Sequence, residues 1–148
     1  MANGGSLNWK EPTVTVKVKD ATDEALAAIA FQIAGLTQRN ITDNGQVDTG
    51  FMRSSVYAIG KNTNSYEDAK GKAQSQVVSQ KRGTTVDQSD SMAPETTLPK
   101  DASAAVVVGA NYAIYEEVEK PFLFPAAEEG ARQAGGTAER VYKEVVNG

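Results

Sequence analysis

The chain has no cysteine and no histidine. The first absence removes disulfides, thiol nucleophiles and thiolate metal sites. The second removes the commonest general base and the commonest transition-metal ligand. Any catalysis would depend on Asp, Glu, Lys or Tyr alone, so the expectation is a protein that is not an enzyme, with no catalytic, cofactor-binding or metal residues assigned. No apolar run approaches the roughly 18 residues that a membrane-crossing helix needs. Polybasic membrane signals are lacking too, and a net charge of −4 gives no general attraction to nucleic acid. The opening residues, MANGGSLNWKEP, lack the basic region and apolar core expected of a signal peptide. Hydrophobic content is low, at 40% with 13 glycines, which suggests long polar segments or surfaces completed by other subunits. A length of 148 residues suits a single domain, 1–148, with its own core.

What is present centres on residues 105–127, AVVVGANYAIYEEVEKPFLFPAA. This reads as an apolar strand, a turn at Gly109-Ala110-Asn111, a second short strand carrying Tyr112 and Tyr115, and an acidic bend. Pro121 and Pro125 then bracket three large apolar residues. Each proline fixes its own φ and biases the preceding residue away from α, so the segment is bent and extended. Pro125 suits the first position of a final helix, where a missing N–H does no harm.

Upstream, residues 1–12 read as a flexible arm. Trp9 in it either covers an edge of its own domain or anchors the arm on a neighbouring subunit. Residues 13–19, TVTVKVK, alternate as a half-buried strand. Its lysines face solvent and guard an edge, or face a polyanion. A first helix is predicted over residues 20–38, capped by Asp20 or Thr22, with Leu26, Ile29, Ile33 and Leu36 as its apolar stripe. A turn at residues 41–46 follows, with Asn44-Gly45 as its strongest signal. Asp48 or Thr49 can cap one helical turn, Gly50 permits an unusual backbone geometry, and residues 56–59 read as a strand.

Residues 61–103 are polar, and an ordinary loop in a compact domain is far shorter. Lys70, Lys72, Lys81 and Arg82 lie in a stretch without acids, and Asp87, Asp90 and Glu95 in one without bases. The segment is expected to be an extended hairpin or arm that projects from the domain, with Gln76, Val77 and Val78 in one of its strands. A plain surface insertion is the alternative. The last helix is predicted over residues 125–146, with Ala127, Ala131, Ala134, Ala138, Val141 and Val145 on one face and Gly135-Gly136 able to bend it. The element order predicts an α+β fold: a small, mostly antiparallel sheet packed by two helices, with a long projecting insertion.

Three local patterns bear on chemistry. Gly71-Lys72 lacks the other residues of a phosphate loop. Glu116, Glu117 and Glu119 either gather a hard cation or form a solvated acidic bend. Asp48-Thr49-Gly50 echoes the catalytic motif of aspartic proteases, but the preceding strand lacks the apolar run such a motif needs.

Three separated segments together resemble one family. Residues 47–56, VDTGFMRSSV, resemble its V-D-T-G-x-L-R-x-S-I motif. Residues 108–116, VGANYAIYE, resemble its V-G-x-x-Y-A-x-Y-V-E motif, and residues 121–126, PFLFPA, its P-F-L-x-P-A lead into the final helix. The family is the head–tail joining proteins (neck or tail-completion proteins) of long-tailed double-stranded DNA bacteriophages. The chain departs from the pattern at Gln46, where the family has proline, and at residues 116–120, where it often has an acid-x-Gly-Thr bend.

The resemblance implies a non-enzymatic virion protein, assembled in the host cytoplasm as a homo-oligomeric ring, usually six-fold, at the head–tail interface. Its implied neighbours are a head-completion or connector protein on one side and a tail terminator or tail-tube protein on the other. DNA would pass through with transient, non-specific contact. The implied assembly residues are Asp48, Thr49, Gly50, Arg53, Tyr112, Tyr115, Glu116, Pro121, Phe122 and Pro125. Lys70, Lys72, Lys81 and Arg82 would face the DNA lumen or the tail. The alternatives are a tail terminator or other tail subunit, a nucleic-acid-binding module using residues 70–82, and a carboxylate-dependent hydrolase using Asp48.

Overall fold

The computed structural model describes residues 5–7, 12–16, 22–45, 50–61, 63–80, 91–98 and 102–147. Strands β1 (Gly5–Leu7), β2 (Pro12–Val16), β3 (Val56–Gly60) and β4 (Ala104–Val108) form one antiparallel sheet in the order β1-β2-β4-β3. Val106 of β4 pairs with Val14 on one side and Ala58 on the other. Every residue of β4 is buried, as a strand covered on both faces must be. On one face, Val14, Val16, Ala104, Val106 and Val108 join the main core with α1 (Asp23–Asp43) and α5 (Leu123–Asn147). On the other, Tyr57, Ile59 and Val107 pack with Tyr66 and Ala69 of α3 (Tyr66–Gln80), and with Met92 and Leu98. The fold is α+β, with two helices on one face of a small sheet.

The helices differ from the expected ones in extent. Thr22 caps α1, its hydroxyl accepting from the amide of Ala25 at 3.1 Å. Leu26, Ile29 and Ile33 are buried, and so is Ile41, two turns beyond Ile33. The apolar stripe thus carries α1 through the predicted turn at residue 41. It ends at Asn44, followed by Gly45 at φ 72°. The helical turn α2 (Phe51–Ser54) is capped by Gly50 at φ 83°, without a side-chain cap bond; Asp48 and Thr49 lie outside the described residues. The last helix starts at Leu123 rather than Pro125, which occupies the first turn, and it runs unbroken through Gly135-Gly136. Its buried face is Leu123, Ala126, Ala127, Gly130 and Ala134, with Ala131 only half-buried. Ala138, Val141 and Val145 have side chains outside the described set.

Four expectations are corrected. Part of the predicted arm is strand β1, paired with β2 through Gly5↔Val14, Ser6↔Thr13 and Leu7↔Pro12; Trp9, Lys17 and Lys19 are not among the described residues. The insertion forms no hairpin strand at residues 76–78, which belong to α3. In its described parts it lies on the sheet rather than projecting, because Tyr66 and Ala69, three residues apart, present one apolar face of a helix. Tyr112 and Tyr115 are not in a strand: Tyr112 precedes helix α4 (Ala113–Glu119), which includes Tyr115. Ala113, Ile114 and Glu117 are its buried residues, a helical spacing that outweighs a very short alternation. The acidic bend is the end of that helix, so it is not a solvated loop.

The two core helices run side by side. Asn40 of α1 bonds Phe122, and Ile33 meets Gly130. A β-carbon at Gly130 would lie 2.9 Å from Ile33 Cδ1 and nearer still to Cγ1. Only glycine lets the helices approach this closely.

Candidate assembly site

Ser55 follows α2 and is fully buried. Its hydroxyl donates to the carbonyl of Met52 at 2.6 Å and accepts from the amide of Ala110 at 3.0 Å. Its own carbonyl accepts from the amide of Gly109 at 3.0 Å. The segment after α2 is thereby tied to the turn after β4. A second contact supports the tie: the rings of Phe51 and Tyr112 lie 6.5 Å apart. A third element seals it. Met92 bridges to Ala110, and the amide of Ala93 donates to the Gly109 carbonyl at 2.7 Å. A β-carbon at Gly109 would meet Met92 Sδ at 3.1 Å and the Ser55 carbonyl oxygen at 3.2 Å.

The junction continues into α5. Glu117 is 1% exposed. Its Oε1 accepts from the amides of Leu123 at 2.9 Å and Phe122 at 3.4 Å, and its Oε2 from that of Phe124 at 3.4 Å. The Leu123 and Phe124 amides are the first two of α5, which have no acceptor inside the helix, and that of Phe122 immediately precedes them. Burial pushes the Glu117 carboxyl above its ordinary range, opposed by the three amides, Leu123 first. Around the outside, Asn40 Nδ2 donates to the Phe122 carbonyl at 3.0 Å and Asn44 Nδ2 to that of Pro121 at 3.0 Å. Lys120 Nζ returns a bond to the Asn44 carbonyl at 2.7 Å, where a cation suits the negative end of α1.

The three segments singled out in the sequence therefore meet, in their described parts, at one junction. Gly50 is buried against Gln76 of α3. Arg53 is half-buried beside the end of α1, its carbonyl accepting from Gln38 Nε2 at 3.1 Å and its guanidinium lying 3.4 Å from the Thr42 hydroxyl. Tyr112 and Glu116 are half-buried and Phe122 is fully buried. Tyr115, at 75% exposure, Pro121 and Pro125 face outward. Lys70 and Lys72 stand apart, with partners inside α3: Lys70 Nζ lies 6.0 Å from the Tyr66 ring centroid, and Lys72 pairs with Asp68 at 3.1 Å. Asp48, Thr49, Lys81 and Arg82 lie outside the described residues.

Glu117 is used by backbone amides, so Glu116, Glu117 and Glu119 share no cation site; among the described residues no such group of ligands gathers. Among those residues no helix is long and apolar enough to cross a membrane. The key polar residues, Ser55, Glu117, Asn40 and Asn44, are not the ones sequence reasoning ranked. For Glu117 a signal existed: an acid four residues after Ala113 and five before Phe122, in helical register with apolar neighbours. No protein-family model, curated protein or solved structure matches the chain.

Proposed function

We propose that this chain is a structural subunit of the neck of a long-tailed double-stranded DNA bacteriophage, without catalytic activity. Copies assemble head to tail into a closed ring at the head–tail interface, since a heterologous contact that closes makes a ring. Its neighbours are a connector or head-completion protein and a tail terminator or tail-tube protein, and DNA passes through the lumen. The observation that carries this reading is the convergence of the three segments that resemble the family. The first is remote in sequence from the other two, yet Ser55 binds the Gly109-Ala110 turn, and between the second and third, which are near neighbours, Glu117 binds the start of α5. The outward residues beside this junction, Tyr115 above all, are the assembly contacts. Lys70 and Lys72 contribute at most weak, non-specific DNA contact, which suits a passage better than tight binding does.

The test is mass measurement of the purified protein across concentrations, with electron microscopy of particles labelled for this chain. Ring-sized oligomers and label at the neck are expected. A strict monomer that never joins a phage particle would overturn the proposal, and label at the tail tip or along the tube would assign it to another tail part.

A further inference from the structure

Helix α4 has one fully buried polar side chain, Glu117, beside two buried apolar ones, Ala113 and Ile114. Its other side carries Tyr115 and Val118, 75% and 68% exposed. Its two ends are held differently. At the start, the preceding Ala110 amide is fixed by the Ser55 hydroxyl. Past the end, Asn44 and Asn40 hold the carbonyls of Pro121 and Phe122, which belong to the segment after α4 rather than to the helix. Between these fixed points, the Glu117 carboxylate joins α4 to the amides of Phe122, Leu123 and Phe124.

We propose that α4 is a separately opening flap, kept shut by the Glu117 bonds to the start of α5. Ala113 and Ile114 hold the same side of the helix by apolar burial, and the Glu117 bonds are the polar tie that acts with it to keep the flap closed. Opening leaves the sheet and the α1–α5 pair intact, because the residues on either side of α4 are tied independently. It moves Tyr115 and Val118 together, as residues three apart on one helix must, and it uncovers the first amides of α5. The inference does not depend on the ring reading: it concerns the isolated subunit.

Native-state hydrogen exchange, resolved by residue at constant pH and corrected for intrinsic rates, tests it. In the wild-type subunit, amides of α4 should be protected at least about tenfold less than those of β4, the mark of a local rather than global opening. Glu117→Ala should speed exchange of α4 and of residues 122–124 by a further factor of about ten, with β4 and the middle of α1 unchanged within about threefold. Glu117→Gln, which keeps an acceptor oxygen, should fall between. Equal protection of α4 and β4 in the wild type, loss of protection in both together, or no change in α4 in either variant would overturn the flap. Should Glu117→Ala not fold, the wild-type pattern and Glu117→Gln decide alone.

Discussion

The hydroxyl of Ser55 accepts the amide hydrogen of Ala110 at 3.0 Å, joining two buried segments 55 residues apart in sequence. No helix or strand ladder serves that amide, so its satisfaction depends on one side chain. Ser55→Ala leaves the Ala110 amide without its acceptor and the Met52 carbonyl without this donor. A buried group left so costs about 1–3 kcal/mol. The expected loss of stability lies in that range by urea denaturation. Ser54→Ala, one residue away and half-buried, should change it by less than about 0.5 kcal/mol.

Gly130 and Gly136 lie in the same helix and should respond to alanine with opposite sign. Alanine is favoured over glycine in a helix by about 1 kcal/mol. At Gly136 an added β-carbon meets nothing within 4 Å, so Gly136→Ala should stabilise by about 0.5–1 kcal/mol. At Gly130 it collides with Ile33, and overpacking a tight contact costs about 1–3 kcal/mol. The clash outweighs the propensity gain, and Gly130→Ala should lower the melting temperature. Trimming the neighbour with Ile33→Val should recover part of that loss, which a double-mutant cycle would read as coupling between the two positions.

These glycines also mark how far the sequence could be read. The apolar stripe Leu26, Ile29, Ile33 and the alternation at Val14 and Val16 were legible, because periodicity survives without tertiary knowledge. The α+β class followed from them. Gly130 was not legible: an alanine-rich face suggested Ala131 as the contact, and only the approach of α1 selects its neighbour. The insertion misled for a related reason. Its polar composition suggested a projecting arm, yet Tyr66 and Ala69 pack a helix on Tyr57, Ile59 and Val107 of the sheet. At the junction, the segments were visible as patterns, but what joins them was not. Ser55 acts through a backbone amide more than 50 residues away, which no local pattern indicates, whereas Glu117 acts on amides five to seven residues on and left only the weak signal of an acid in register with apolar neighbours.

Glu117 should give stability an unusual pH dependence. Its carboxyl is pushed up from the ordinary value of 4.5, chiefly by burial. An acid with a raised folded value binds its proton more tightly when folded. Its contribution is therefore most favourable below 4.5, falls as pH rises from 4.5 through the raised folded value, and is constant above. Glu129 shifts the opposite way through its exposed pairing with Arg132, and water and salt screen that effect. Subtracting Glu117→Gln isolates the buried group. The stability of the wild type relative to this variant should decline across that window when denaturation midpoints are measured from pH 4 to 8. A difference that is flat with pH would mean that the carboxyl titrates at its ordinary value.

Tyr115 offers the clearest separation of folding from assembly. It is 75% exposed, so its aromatic ring adds little to the subunit's own core. Tyr115→Ala should change unfolding free energy by less than about 0.5 kcal/mol, as for other exposed positions. In a ring contact the same ring would be desolvated, and an aromatic anchor of that kind is worth about 2 kcal/mol or more. A loss of that size raises the association constant's midpoint concentration by a factor of about 30. Sedimentation of wild type and variant over a concentration series reads this directly. Weaker assembly with unchanged melting would place Tyr115 in the contact between copies. Unchanged assembly would put that contact elsewhere on the subunit, and lowered melting would mean that the ring supports α4 within the fold.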